Sequence, residues 1–374
     1  MTVIAWRILT CKPFRTSVTM LALGFLFLLS FAQVGMLVGW CNTTSAIIRH
    51  ADADVWIMAE KTAAFDYGSA IPRQRVFQSR TVPGVASAEA MIMTWNTWQR
   101  PDGTRVNVEL IGLDDACTGG PWEMVSGQVE DIHLPNGVIV DELFLSALGV
   151  ETIGDEVELF GRRAIVRGIS QNVRTFTASP FVFTSIDSAI RYDRRYADDE
   201  VTYVLVRCEE GHSPEVVRDQ LRVALANVEV LTSNEFALRT IKYWMLETGV
   251  GITVVLTAIL GFTVSIVIMT QTMYTLTNEH LSDYATLAAL GFLPRQLLFC
   301  VLQQATVLVC VGIMLGSAGF RAAAVATART PLPLEMLPEV YVALVAISVG
   351  VCLAATCFAV RSVLRINPAV VFRG

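Results

Sequence analysis

Four long apolar stretches limit what this 374-residue chain can fold into more than any other feature of its sequence. The first covers residues 16–40, and the other three are crowded into the last third, at residues 243–276, 296–320 and 340–360. Each has the roughly 20 residues or more that an α-helix needs to cross a bilayer. The polar segment 41–242 separates the first stretch from the second. The sequence therefore predicts four transmembrane helices, one before and three after a large domain outside the bilayer.

The composition supports this division into apolar and polar parts. Hydrophobic residues make up 53% of the chain and its mean hydropathy is +0.52, values above those usual for a soluble domain. Segment 41–242 contains 29 Asp and Glu against 19 Lys and Arg, whereas the rest of the chain is basic. Because an acidic domain is unsuited to the phosphate backbone of nucleic acids, we expect no nucleic-acid partner.

The basic residues around the first stretch predict its orientation. Those that precede it are Arg7, Lys12 and Arg15, whereas only Arg49 follows closely. Since cytoplasmic flanks are rich in Lys and Arg, we expect cytoplasmic termini and a periplasmic segment 41–242. Four basic residues near the outer ends of the spans weaken this count: Arg239, Lys242, Arg321 and Arg329.

The segments between the spans complete the predicted topology. The first uncharged run is too long for a signal peptide, so we expect it to stay in the protein as a helix. Residues 1–15 mix apolar, aromatic and basic side chains, which predicts a short cytoplasmic interfacial helix. We expect a cytoplasmic loop at 277–295, a periplasmic loop at 321–339 and a cytoplasmic tail at 361–374.

Segment 41–242 alternates strand and helix patterns, which predicts an α+β domain. Strands are predicted at 54–59, 86–99, 106–113, 137–140, 156–160, 163–169, 201–207 and 228–231. Helices are predicted at 72–81, 141–148 and 214–226, and a further one capped by Ser233. No low-complexity linker interrupts this domain.

Both ends of the domain are predicted to be helical stalks, meaning helices that project from the bilayer. The uncharged run of the first span continues to Ile48, and the helix from Asn234 runs into the second span without a proline. Continuous helices transmit motion, whereas a flexible tether does not. Simple loops at both ends are the alternative.

The sequence lacks the motifs of common catalytic sites. It has no G-x-x-x-x-G-K-[ST], H-E-x-x-H or G-x-S-x-G, so we expect no enzymatic activity and no ATP site in this chain. The four histidines stand far apart without metal-ligand spacing: His50, His133, His212 and His280. Cys117 and Cys208 form either a periplasmic disulfide or two free thiols. No charged residue lies at the centre of a span, which disfavours an ion or proton pathway.

Glycines at a spacing of four residues occur in two of the spans. Gly35 and Gly39 close the first, and Gly312 and Gly316 lie in the third. This small-xxx-small spacing lets helices approach closely, within one chain or between two copies.

The cytoplasmic loop 277–295 has the most specific pattern of the chain. Its leucines and Tyr284 follow helical spacing, and Gly291 stands where a helix would end. The loop therefore predicts a short amphipathic helix that docks on a soluble partner or lies at the interface without one. The candidate docking residues are Glu279, Leu281, Asp283, Tyr284, Thr286, Leu287, Leu290, Gly291, Phe292 and Arg295.

Several segments resemble one protein family. Glu279 and residues 283–292 are similar to the signature of FtsX-like permeases of the MacB type, which are subunits of ABC transport systems. Residues 5–16 resemble the N-terminal amphipathic helix of that family, and residues 365–369 resemble its usual C-terminal end. Residues 139–169 resemble the core of its periplasmic domain.

The resemblance implies a fold and a set of partners. The implied fold is an α-helical membrane protein with four transmembrane helices in 1 + 3 order and a large extracytoplasmic α+β domain of the MacB periplasmic-core type. Among subgroups, residues 53–56 and 95–112 look most like the DevC permeases. Such permeases are inner-membrane homodimers that work with a separate ABC ATPase, a membrane-fusion adaptor and an outer-membrane channel.

The implied function is export that is driven from the cytoplasmic side of the membrane. ATP bound and hydrolysed by the partner ATPase would push the docking residues, move the spans and shift the periplasmic domain. The cargo would be a lipid or another hydrophobic molecule taken from the membrane or periplasm. The alternatives are an FtsX-like regulator of a cell-wall hydrolase and a lipoprotein-releasing permease.

Overall fold

The computed structural model divides into two compact units, which we describe separately. The membrane unit comprises Met1–Gly39, Thr253–Ala328 and Pro333–Gly374, and the external domain comprises Trp40–Ile252 with Arg329–Leu332. The structure describes residues 7, 13–177, 179–193, 195–279, 286–287 and 290–364. The predictions for residues 1–15 and 365–369 therefore fall largely or wholly outside the described residues.

Helices and strands are numbered along the chain as the described residues form them. The helices are α1 (Pro13–His50), α2 (Gln74–Ser79), α3 (Leu145–Leu148), α4 (Ile186–Tyr192), α5 (Pro214–Ala224), α6 (Ser233–Lys242), α7 (Gly249–Glu279), α8 (Pro294–Thr327) and α9 (Pro338–Leu364). The strands are β1 (Val55–Met58), β2 (Ile71–Pro72), β3 (Val85–Gln99), β4 (Arg105–Leu113), β5 (Met124–Ser126), β6 (Gly137–Asp141), β7 (Glu156–Leu159), β8 (Arg162–Ser170), β9 (Phe181–Ser185), β10 (Glu200–Val201), β11 (Tyr203–Cys208) and β12 (Glu229–Thr232). Short 3-10 helices cover Phe65–Tyr67, Val129–His133 and Glu142–Phe144, and a π-helical turn covers Tyr243–Glu247.

Four of the described helices are long and apolar enough to cross a membrane: α1, α7, α8 and α9. The spanning parts are Thr16–His50, Gly249–Thr272, Arg295–Thr327 and Pro338–Cys357. Helix α8 continues beyond residue 320, where its apolar stretch was predicted to end. The reason is local, because residues 321–327 contain four alanines, the strongest helix formers.

Glycines bring α1 and α8 close together inside the membrane unit. A Cβ added to Gly316 would lie 2.5 Å from Cβ of Phe27 and 3.0 Å from the backbone nitrogen of Leu28. At Gly312 it would lie 3.0 Å from Cβ of Leu23. Only glycine permits this helix separation, which is the close approach typical of small-xxx-small sequences.

The other two glycines of the predicted set also lie at close contacts of the membrane unit. A Cβ at Gly35 would lie 2.7 Å from the ring of Phe320, and one at Gly39 would collide with the carbonyl oxygen of Pro333. These contacts are made within one chain. The glycine spacing is thus accounted for without a second copy.

The external domain is built on one large sheet of the described strands. Its order is β12-β1-β11-β3-β4-β9-β6-β8-β5, with β7 paired to β3 and β8. The pairs β4–β9 and β6–β8 are parallel, and the others are antiparallel. The long hairpin of β3 and β4 forms the middle of the sheet. Its turn is closed by the Arg100 N–H donating to the Thr104 carbonyl at 2.9 Å, with Gly103 at φ 83°.

Both faces of this sheet are covered, which explains its near-continuous apolar strands. In β1, Val55 and Ile57 point into one core, whereas Trp56 and Met58 point into the other. Helices α2, α4 and α5 contribute to the first core. Helix α6 and the end of α1 contribute to the second.

Two local predictions for the external domain need correction. Strand β9 and helix α4 were not predicted, although β9 is the strand that joins β4 to β6 in the sheet. The helix expected to be capped by Ser233 is capped by Thr232 instead. The Thr232 hydroxyl accepts from the Glu235 N–H at 3.3 Å, and the Glu235 carboxylate accepts from the Thr232 N–H at 2.9 Å. Ser233 is the first residue of this helix, and its hydroxyl instead accepts from the Trp56 indole at 3.1 Å.

The expectation of an uninterrupted second stalk is also wrong. Helix α1 is continuous through His50, but α6 ends at Lys242 and leads through the π-helical turn to Thr248, which is extended at φ −100° and ψ 147°. The Thr248 hydroxyl donates to the Trp244 carbonyl at 2.6 Å and accepts from the Gly251 N–H at 3.2 Å. Thr248, which is followed by the helix-weak Gly249 and Gly251, thus caps α7 rather than continuing α6.

Candidate functional site

The described residues of the predicted docking segment between α7 and α8, 286–287 and 290–293, include a hydrogen-bonded turn. The Leu290 N–H donates to the Thr286 carbonyl at 3.1 Å, and the Phe292 N–H donates to the Leu287 carbonyl at 3.2 Å. The turn ends at Gly291, whose φ of 91° favours glycine. Leu281, Asp283 and Tyr284 lie outside the described residues.

The entry to α8 fixes the far end of this segment. Leu293 is extended, its N–H donates to the Gln296 side chain at 2.9 Å, and Pro294 is the first residue of α8. Proline is favoured there because its missing N–H and fixed φ suit a helix start. Arg295, in the first turn, is exposed.

The segment presents apolar side chains to its surroundings. Leu290 is 72% exposed and Leu293 is 63% exposed, whereas Leu287 and Phe292 are half-buried. Two polar side chains of the segment are also exposed: Thr286, and Glu279 at the end of α7. Exposed apolar side chains of this kind are typical of contact surfaces.

A second site lies in the external domain, beside the π-helical turn that precedes α7. Asp66 and Glu109 are neighbours there, because the Asp66 carbonyl accepts from the Trp95 indole at 3.1 Å and Trp95 is paired with Glu109 across β3 and β4. The side chains of the two acids interact with each other. Their side chains are almost inaccessible, since Asp66 is 4% exposed and Glu109 is 0% exposed. The Trp244 indole donates to Asp66 Oδ2 at 2.8 Å, and the Thr177 hydroxyl donates to Glu109 Oε1 at 2.6 Å.

Aromatic rings surround these carboxyl groups. Phe176, next to Thr177, packs edge-on against Trp244 at 4.6 Å and against Trp40 of α1 at 5.6 Å between ring centroids. Tyr67, next to Asp66, stacks on Trp244 at 5.9 Å. We call this group, Trp40, Asp66, Tyr67, Glu109, Phe176, Thr177 and Trp244, the junction cluster.

Burial controls the protonation of the two carboxyl groups. It raises the pKa of Glu109 well above its ordinary value, and the neighbouring Asp66 raises it further. Burial likewise raises the pKa of Asp66, although the hydrogen bond from Trp244 lowers it in part. Both groups therefore hold protons more tightly than exposed carboxyls do.

No pattern in the sequence predicted the junction cluster. One signal was present, because Glu109 stands inside the apolar run of β4, between Val108 and Leu110. A carboxyl inside a buried strand requires a partner or a proton. The partner itself, Asp66, comes from a separate 3-10 helix, which no local pattern indicates.

Cys117 and Cys208 of the external domain are free thiols. The Cys117 sulfur lies 3.6 Å from Nε2 of His133, and Cys208 is the last residue of β11. Burial raises the pKa of each thiol to about 11. A disulfide between them is therefore not present. Among the described residues, no three His, Cys, Asp or Glu side chains are grouped to hold a metal ion.

Comparison with known sequence families identifies the architecture. Residues 16–224, more than half of the chain, match the MacB-like periplasmic core domain. Residues 255–368 match the FtsX-like permease C-terminal domain. The chain belongs to the permease family that combines these two domains. It is an ABC transporter permease of the MacB/FtsX type.

Individual relatives of the permease agree with this assignment. Two are described as uncharacterized ABC transporter permeases of Mycobacterium tuberculosis, from strains CDC 1551 / Oshkosh and ATCC 25618 / H37Rv. Each is 22% identical over 372 residues, which is 99% of both chains.

Solved structures of periplasmic and extracellular domains are also similar to part of the permease. The periplasmic region of MacB from Actinobacillus actinomycetemcomitans matches with a TM-score of 0.40 and 10% identity, over 50% of this chain and 91% of the other. The extracellular domain of the ABC-type transporter YknZ from Gram-positive bacteria matches with a TM-score of 0.36 and 11% identity, over 48% and 98%.

The family membership settles the general role of the chain. The permease is an inner-membrane protein with a periplasmic segment and a component of a transporter. Its fold is the predicted one, four apolar helices with an α+β domain of the periplasmic-core type. In such systems ATP is used by a partner ATPase, so an ATPase partner is implied.

Proposed function

We propose that this permease is the transmembrane subunit of an ABC-type export complex and receives force from its ATPase at the segment 279–295. The observation that carries the proposal is the apolar turn with exposed Leu290 and Leu293, fixed between α7 and α8. Closure of the ATPase would push this turn and shift both helices together. The shift would then pass to the periplasmic domain.

The position of the docking segment agrees with a cytoplasmic loop. Three basic residues precede the first span and three lie in the C-terminal tail: Arg7, Lys12, Arg15, Arg361, Arg365 and Arg373. With four spans, both termini and the loop between the second and third spans lie on the same side. We propose that this side is the cytoplasm, where an ATPase has access to ATP.

The finer parts of the proposal follow the resemblance to DevC permeases. Two copies of the chain would form a homodimer above two ATPase subunits. A membrane-fusion adaptor and an outer-membrane channel would receive the cargo from the periplasmic domains. A lipid or hydrophobic cargo suits spans that carry no charged residue at their centres, because no aqueous path is needed.

The docking proposal is tested by Leu287→Asp and Leu290→Asp. A carboxylate in an apolar groove would be buried without a partner, so we expect co-purification with the ATPase to be lost. Membrane insertion should be unchanged, because neither residue lies in a predicted span. The measurement is the amount of ATPase recovered with the tagged permease from membranes.

Leu238→Asp is the matched control, since Leu238 is an exposed leucine of the external domain. It should retain the ATPase. Undiminished recovery with both docking variants would exclude the segment as the ATPase site. If a cell-wall hydrolase co-purifies with the permease instead of an adaptor, the alternative function as an FtsX-like regulator is supported.

A further inference from the structure

The hydrogen bonds of the junction cluster leave one carboxyl oxygen without a donor. Glu109 Oε1 accepts from Thr177 at 2.6 Å and from Thr175 at 3.5 Å. Glu109 Oε2 receives no hydrogen bond from any N–H or O–H group of the described residues. The carboxyl of Glu109 interacts with that of Asp66, which is itself an acceptor from Trp244.

No described Lys, Arg or His side chain forms an ion pair with either carboxyl. The other titratable groups that interact with the pair are phenols, Tyr67 and Tyr203, and Tyr243 packs against Tyr67. Tyr203 uses its hydroxyl to donate to the Phe65 carbonyl at 2.5 Å. Two neighbouring buried carboxylates, both ionised, would therefore have no compensating positive charge, which strongly disfavours that state.

A single proton accounts for both the missing hydrogen-bond donor and the missing positive charge. Placed between the two carboxyls, it supplies the missing donor to Glu109 Oε2 and removes one of the two charges. We propose that Asp66 and Glu109 share one proton, and that this shared proton keeps Trp244 and the π-helical turn attached to the sheet. We call this arrangement of the two carboxyls and Trp244 the clasp.

The clasp acts on the segment that leads into the second span. Asp66 accepts the Trp244 indole with its side chain and the Trp95 indole, at 3.1 Å, with its backbone carbonyl. Loss of the proton leaves two carboxylates that repel each other, so Asp66 has to move away from Glu109. Trp244 then loses its acceptor and its stacking on Tyr67. The π-helical turn Tyr243–Glu247 is released from the domain.

The direction of the pH dependence follows from the raised pKa values of both carboxyls, which have burial as their main cause. Opening of the clasp returns these groups to ordinary pKa values near 4 and releases a proton. The clasp is therefore fully closed at acidic pH, and its stability falls as the pH rises toward the pKa of the closed pair. In that window the opening equilibrium grows about tenfold per pH unit.

Hydrogen exchange of residues 243–251 between pH 5 and pH 9 tests the clasp in the full-length permease, reconstituted in nanodiscs without ATPase. After correction for intrinsic rates, we expect wild-type protection to fall with rising pH over at least a tenfold range. Glu109→Gln should abolish this dependence, because the amide donates permanently to Asp66 while its oxygen still accepts from Thr177. Glu89→Gln is the matched control, since Glu89 is a half-buried carboxyl on β3 that pairs with Arg80. It should behave like wild type.

A second measurement covers the case in which Glu109→Gln does not fold. Infrared difference spectra of the wild-type permease between pH 5 and pH 9 should show a buried protonated carboxyl that is lost as the pH rises. Exchange in the wild type that is independent of pH, or the same pH dependence in Glu109→Gln and wild type, would overturn the proposal. Because neither ATPase binding nor transport is measured, this outcome is independent of the proposed export function.

Discussion

At the scale of single residues, glycines determine how closely the membrane helices pack. We expect Gly316→Ala to lower the melting temperature of the purified permease in detergent, because the new methyl would lie 2.5 Å from Cβ of Phe27 and close to the backbone of α1. The helices would have to separate, at a cost of about 1–3 kcal/mol. A thermal melt followed by near-ultraviolet circular dichroism measures this loss.

Gly350→Ala is the matched control in the same unit. A Cβ at Gly350 has no neighbour within 4 Å, so the change adds only helix propensity. We expect its melting temperature to equal or exceed that of wild type. Equal melting temperatures for both variants would show that α1 and α8 are not in close contact at Gly316.

At the scale of elements, Thr248 determines where the second membrane helix begins. We expect Thr248→Ala to weaken the start of α7, because it removes the hydrogen bonds to the Trp244 carbonyl and from the Gly251 N–H. Loss of a helix N-cap costs about 1 kcal/mol, which raises local amide exchange roughly fivefold. Hydrogen exchange of residues 248–253, at a pH low enough to keep the Asp66–Glu109 pair protonated, measures the effect.

Thr257→Ala serves as its control, because the Thr257 hydroxyl only donates to the Thr253 carbonyl one turn earlier in a continuous helix. We expect exchange close to that of wild type. If Thr248→Ala exchanges no faster than Thr257→Ala, the interruption between α6 and α7 is held by other contacts.

The strands show which elements local patterns predict. Strands β3 and β4 follow from two β-rich runs joined by the Arg100–Thr104 turn, because hairpin partners are neighbours in sequence. Strand β9 has only five residues and pairs in parallel with β4, which lies far earlier in the chain. Parallel pairing across such a distance leaves no turn signal, and β9 was missed for this reason.

At the scale of the whole molecule, the orientation of the four spans can be tested with epitopes at two open glycine turns. A tag inserted after Gly211, in the external domain, should bind antibody on intact spheroplasts. A tag after Gly291, in the docking segment, should bind only after permeabilisation. Both sites tolerate insertion, because each glycine has a positive φ and no atom within 4 Å of an added Cβ. The reverse pattern would invert the proposed topology.

The sequence by itself determined the architecture of this permease. Hydropathy indicated the four spans, two β-rich runs around a turn indicated the middle of the sheet, and the 279–292 signature indicated the family. These are local properties, since a span, a hairpin or a short motif is contained in consecutive residues. The pattern therefore predicted them without knowledge of the fold.

Only the tertiary structure decided the contents of the junction cluster. Asp66, Glu109, Phe176 and Trp244 come from four separate elements, and each alone resembles an ordinary surface or core residue. Their meeting depends on how the sheet brings β4, the loop after β8 and the segment before α7 together. A shared proton requires two carboxyls in contact and shielded from water, which is a property of the folded interior rather than of any segment.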